Sequence, residues 1–253
     1  SCAEEELYKK YGELEQRCKN GTNNKYVWKT FSDLGKLLGS CFNSFQIEVL
    51  KRAKDITIFS DFPIGLAILE NDEVPLQCYK SISYRPLTPL TRQLQLELLK
   101  KNQVYLGKKC KVAIAECIIN NDENKYVYLM SDFVRSTLID MEKKYEGFSV
   151  TYQQTYSVES ILEFIKNNQD ADILYISAHG YYNIKQNMAG IMVGEEFWMA
   201  SEDINVPPIV ILSACHSSPR GMGAVNIADM FIRNGAISVL GTFIPVNAHR
   251  NLI

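Results

Sequence analysis

Four short apolar runs, 112–119, 173–178, 209–214 and 237–243, alternate with segments whose apolar residues recur every three or four positions. No other feature constrains the fold as much. The runs have the length and character of strands buried on both faces. After the first run, Val127, Met130, Val134, Leu138, Met141 and Tyr145 share one face of a helix that Gly147 ends. Phe148 to Tyr152 reads as a further strand, and Ser157 caps a helix carrying Ile161, Leu162 and Ile165. A helix over 224–234, stopped by Gly235, leads into the last run. Strands alternating with helices predict an α/β fold: a mostly parallel sheet flanked by helices on both faces.

The first part of the chain has a different pattern. Leu7, Tyr11 and Leu14, then Trp28, Phe31, Leu34, Leu37 and Leu38, predict helices on either side of an Asn/Gly-rich loop at 20–24. Ile56 to Phe59 and Leu66 to Leu69 predict hairpin-like strands. Pro86 and Pro89 bias their predecessors away from helix and mark a boundary. The expected organisation is a helical and hairpin portion over 1–85 and a larger α/β portion over 86–253.

Charge and cysteine usage exclude several functions. With 27 Lys+Arg against 29 Asp+Glu the net charge is -2, which lacks the basic excess of a nucleic-acid-binding surface. No apolar stretch is long enough to cross a bilayer, and the acidic start is unlike a signal peptide, so a cytoplasmic protein is expected. Seven cysteines without a CxxC pair predict reduced thiols rather than a disulfide framework or zinc ribbon. His179, His216 and His249 include no i, i+4 pair, so a histidine-rich metal site is not expected. Without an initiator Met, and stopping at Ile253 soon after a strand, the chain reads as a piece of a longer protein.

In open parallel sheets, ligands bind at the carboxyl ends of strands. Two runs end there in reactive side chains: 173–178 leads into His179-Gly180, and 209–214 into Cys215-His216. If the two strands are neighbours, imidazole and thiol stand together, as a cysteine nucleophile and its general base require. Gly180 lets a substrate carbonyl approach the backbone, and its N–H with that of Cys215 can form an oxyanion hole. Such a Cys–His site needs no cofactor. A cysteine or histidine taken singly is more often structural. Their joint placement at equivalent strand ends favours a catalytic pair. His216 reads as a loop residue, the other cysteines as structural, and Gly221-Met222-Gly223 as a loop, because no GxGxxG or GK[ST] accompanies it.

Ser177-Ala178-His179-Gly180, Leu212-Ser213-Ala214-Cys215 and the segment 223–242 resemble the CHAT-domain proteases, relatives of caspases and separase in clan CD. Ile82 to Leu87 and Ile58 to Pro63 resemble early strands of that domain, so the likeness covers about residues 30 to 253. The resemblance implies a caspase-like fold and hydrolysis of a peptide bond in a protein substrate. It assigns His179 as general base and acid, Cys215 as nucleophile, and the amides of Gly180 and Cys215 as oxyanion hole. Family members carry N-terminal TPR repeats or other sensor modules. They act in bacterial defence, cleaving gasdermins or serving as proteases under RNA-guided type III CRISPR effectors.

The sequence departs from the separase branch where an acidic residue would hold a basic P1 side chain. Here 243–248 is Phe-Ile-Pro-Val-Asn-Ala, and Ser213 stands two residues before the nucleophile. With Ser213, Asn247 and Ala248 as the S1 candidates, a basic P1 group would leave an unpaired charge, so an uncharged P1 residue is expected. Glu116 is the one carboxylate that could serve a basic pocket. The loops 183–189 and 217–222 flank the pair and are the expected points of allosteric control. A non-catalytic caspase-like interaction module is the competing reading. A nucleotide-binding sheet is a weaker one, since no phosphate loop stands at a strand end.

Overall fold

The computed structural model describes residues 2–19, 25–60, 62–85, 107, 109–183, 185–219 and 225–246. They fall into two compact units, one before Gln95 and one after Leu94.

In the first unit, helices α1 (Cys2–Lys19), α2 (Lys25–Gly39) and α3 (Ser44–Arg52) precede strands β1 (Asp55–Phe59) and β2 (Ser81–Arg85). Leu14, Leu34 and Leu38 are buried, and Tyr8 and Tyr11 pack on Phe62. Asn43 starts α3 with a capping box closed by Gln46. The expected hairpin is not formed. β1 pairs with β2 in parallel, and Leu66 to Leu69 is not a strand. That apolar run is buried as irregular backbone after a 3-10 turn at Ile64–Leu66. The Ile68 N–H donates to Gly35 O (2.8 Å) and Ala67 O accepts from Leu76 N–H (2.8 Å), so its polar groups are satisfied without a ladder. Burial on all sides gives a loop the same composition as a strand.

The second unit holds β3 (Cys110–Glu116), α4 (Lys125–Lys144), β4 (Phe148–Gln154), α5 (Val158–Asn167) and β5 (Ile173–Ser177). It continues with β6 (His179–Asn183), β7 (Met188–Val193), β8 (Glu196–Trp198), β9 (Ile209–Ser213), β10 (Val225–Asn226), α6 (Ile227–Arg233) and β11 (Ser238–Leu240). Five strands form an all-parallel sheet in the order β11-β9-β5-β3-β4. The chain leaves β3 on one side to make β4 and returns on the other to make β5. The direction of winding therefore switches between β3 and β5, where such sheets open a crevice at their carboxyl edge.

Right-handed crossovers place the helices that leave in opposite directions on opposite faces. Ala113, Ala115, Leu174, Ile176, Val210 and Leu212 form a core with Ile161 and Phe164 of α5 and Phe231 of α6. On the other face Arg135 of α4 lies 4.6 Å from the ring centre of Tyr152. Ser157 caps α5 with a capping box, and Asn226 caps α6 by accepting from Asp229 N–H. The loop expected at 183–189 holds the turn between β6 and β7 in its described residues, with Asn183, Met188 and Ala189 belonging to the hairpin strands, and β8 extends the hairpin.

Candidate active site

The carboxyl ends of β5 and β9 are in register, with Ser177 opposite Ser213. His179 and Cys215 each follow two residues later, so the pairing carries both to the same rim. The Ala178 N–H still donates to Ser213 O (3.3 Å), keeping the strands together one residue past the ladder. Beyond that point the two backbones touch. A Cβ built on Gly180 would lie 1.4 Å from Cys215 O and 2.3 Å from Cys215 C, so only glycine fits.

His179, Gly180 and Cys215 line one cavity of about 400 Å³ above the switch between β3 and β5. Tyr126, Val127, Met130 and Ser131 from the first turns of α4 form one wall. Ile118, Ala178, Ala214 and Val246 add apolar surface, and Ser177 and Ser213 add hydroxyls. Among the described residues, none of the lining side chains is a carboxylate, lysine or arginine.

Cys215 stands in a sharp turn after β9, and the next residue, His216, has φ +49°. That left-handed backbone redirects the chain away from the rim at once. Cys215 Sγ lies 3.4 Å from Val246 N and 3.6 Å from Val246 O, and Val246 lines the same cavity as His179. His216 itself turns inward. It is buried, with its ring centre 5.9 Å from that of Tyr182, and is not among the cavity residues.

The His179 ring has its Nε2 3.0 Å from Asn124 Oδ1. Partial burial in the cavity wall holds its pKa below the ordinary histidine value, and the nearby Glu123 carboxylate opposes that shift. The ring is therefore poised in its neutral form, the form that accepts a proton. Sequence reasoning missed Asn124. Its only signal was an Asn-rich loop between a strand and a helix, which reads as a turn.

Ser213 lines the cavity, but Glu116 does not. Its carboxylate is buried and accepts from Ser131 Oγ and from Ile118 N–H (3.0 Å), with a further bond from Ser177. It braces three cavity residues from behind. Burial pushes its pKa up, against the opposing pull of those donors and of Arg135. Asn247, Ala248, His249 and the segment Gly221-Met222-Gly223 lie outside the described residues. Cys18 and Cys117 are buried and Cys41 and Cys78 exposed, all as free thiols away from the cavity. Among the described residues no cluster of His, Cys, Asp or Glu could hold a metal ion. No helix there is long and apolar enough to cross a membrane.

No model of a known protein family matches the chain, and no curated protein matches it. The functional reading therefore rests on the site's own chemistry.

Proposed function

We propose that this chain is a caspase-like cysteine endopeptidase that cleaves a protein substrate through Cys215 and His179. One observation carries the reading: two reactive side chains, each two residues past paired strand ends, line one cavity where the Gly180 and Cys215 backbones meet. In this scheme the Cys215 thiol passes its proton to His179 as sulfur attacks the scissile carbonyl carbon. The carbonyl oxygen becomes an oxyanion facing the N–H groups of Gly180 and Cys215. Protonated His179 then gives its proton to the leaving amine as the C–N bond breaks. Water, deprotonated by His179, hydrolyses the thioester and restores the thiol.

The cavity beside the pair serves as the P1 pocket. Its walls of Ile118, Tyr126, Val127, Met130 and Val246 suit an uncharged, apolar side chain. A basic side chain would be desolvated with no carboxylate to pair with. Glu116 does not supply one, since its oxygens are committed to Ser131 and Ile118.

We place the activity in the cytoplasm, under the control of an N-terminal TPR-like or other sensor module or a partner. The setting that the resemblance implies is bacterial defence, with a gasdermin or a CRISPR-controlled protein as substrate. Of the two candidate control loops, 183–189 includes the turn between β6 and β7, and 217–219, which follows the nucleophile in the chain, is buried. Residues 184 and 220–222 lie outside the described residues.

Labelling by a peptidyl acyloxymethyl ketone with an apolar P1 residue tests the reading. Intact-mass analysis should show one adduct, on Cys215, that disappears in Cys215→Ala and slows sharply in His179→Ala. Equal labelling of His179→Ala, or preferential labelling of Cys41 or Cys78, would speak against the pair.

A further inference from the structure

Among the described residues, α-helix N-cap side chains are used in two ways. Asn43, Ser157 and Asn226 each turn a side-chain oxygen back to accept a backbone N–H of their own helix. Asn124, at the N-cap of α4, does not. Its φ of −96° and ψ of −2° leave it without a side-chain cap bond, and its Oδ1 points instead to His179 Nε2 at 3.0 Å. An asparagine at this position would ordinarily satisfy one of the helix's open donors. Here the oxygen is withheld from the helix and given to the histidine.

The rest of Asn124 is held firmly. Its N–H donates to Asn121 Oδ1 (2.9 Å) and its C=O accepts from Tyr128 N–H (2.9 Å). Loop and helix thus fix the Asn124 backbone from both sides. A carboxamide oxygen can only accept, so the proton of this bond sits on Nε2. In a neutral imidazole the other nitrogen, Nδ1, is then the base.

We propose that Asn124 is a positioning residue for His179, fixing the Nε2–H tautomer and presenting Nδ1 to Cys215 and the substrate. The chemical role rests on the protease reading above; the hold on the ring does not. In the reaction, Nδ1 takes the Sγ–H proton as the S–C bond forms. It returns that proton to the leaving nitrogen as the C–N bond breaks, while Nε2–H stays on Asn124 throughout. The titratable groups that described residues bring near His179 are Glu123 of the same loop, Tyr126 on α4 and Cys215. None of them substitutes for this bond.

Asn124 also begins the helix whose first turns carry Tyr126, Val127 and Met130 of the pocket wall. The same short segment therefore sets both the pocket and the base.

Long-range ¹H–¹⁵N correlation spectra of the ¹⁵N-histidine-labelled full chain read the tautomer directly, with His179→Gln identifying the signals. Wild type should show His179 with Nε2 protonated and Nδ1 bare. Asn124→Ser removes the acceptor yet supplies a good N-cap, so the melting temperature should be unchanged or higher. The His179 signals should move towards a mixture of tautomers. On an apolar-P1 peptide, kcat should fall roughly tenfold to a hundredfold with KM little changed, the range of a lost general-base alignment. A wild-type ring protonated on Nδ1, or His179 signals identical in Asn124→Ser, would overturn the proposal. So would an unchanged kcat. Absence of peptidase activity in wild type would overturn the protease reading, while the spectra would still decide whether Asn124 holds the ring.

Discussion

Gly180 and Cys215 touch through their backbones: a single Cβ added to Gly180 would fall 1.4 Å from the Cys215 carbonyl oxygen. In the proposed mechanism the oxyanion hole needs the amides of these two residues near each other, and this closeness of their backbones leaves no room for a side chain on Gly180. Gly180→Ala must push β6 away from the turn after β9. We expect a loss of roughly 100-fold in Cys215 labelling, as for about 1 Å of misplacement. Overpacking should also cost about 1–3 kcal/mol of stability, measured by denaturant unfolding.

The acidic limb of the pH–rate profile should lie below the ordinary histidine pKa. The proposed reaction needs neutral His179, and burial already depresses its pKa. Glu123 acts in the opposite direction, favouring the imidazolium. Glu123→Gln should therefore move the acidic limb of Cys215 labelling to still lower pH. A shift to higher pH would contradict the assignment of His179 as the base.

Glu116 gives a stability prediction. Its pKa is raised by burial, so the folded state binds its proton more tightly than the unfolded state. Stability from this source is complete below the unfolded carboxylate pKa and is lost as pH rises through the folded value. Glu116→Gln keeps the shape and abolishes the titration. Relative to wild type its melting temperature should improve as pH rises from about 4 to 7, the direction set by this linkage.

Met130 sits on the cavity wall at the start of α4. Met130→Asp places a carboxylate where the wild-type pocket has none among its described residues. In a positional scanning library the ratio of apolar to basic P1 cleavage should drop roughly tenfold or more, because the new charge offsets the cost of burying an unpaired cation. An unchanged ratio would mean that P1 binds elsewhere.

The parallel sheet and the shared placement of His179 and Cys215 were legible because both are written in local pattern. An apolar run ending in His-Gly and another ending in Ala-Cys fix their side chains at strand ends wherever the strands lie. The register that joins them, Ser177 opposite Ser213, is a tertiary fact, yet adjacent parallel strands of equal length leave little choice. What was not legible depends on partners distant in sequence. Leu66 to Leu69 has strand composition but is buried against α2. The β6–β7–β8 hairpin was hidden because Gly190 and Gly194 look like loop residues. In the fold, Gly190 lies under Phe197 and Gly194 against Tyr156, where side chains would collide. Glu116 could be placed at the end of its strand, but its bonds to Ser131 and Ser177 come from other elements. Asn124 was missed because an asparagine in an Asn-rich loop before a helix reads as a turn, and its oxygen meets a histidine 55 residues away.

The central claim is best tested by incubating the protein and its Cys215→Ala variant with native lysate and candidate activating partners, then sequencing new N-termini by mass spectrometry. New termini that require Cys215, preceded by uncharged apolar residues, are the expected result. Identical sets of termini from the two proteins, with every candidate activator present, would contradict a peptidase and favour a caspase-like module that binds without cutting.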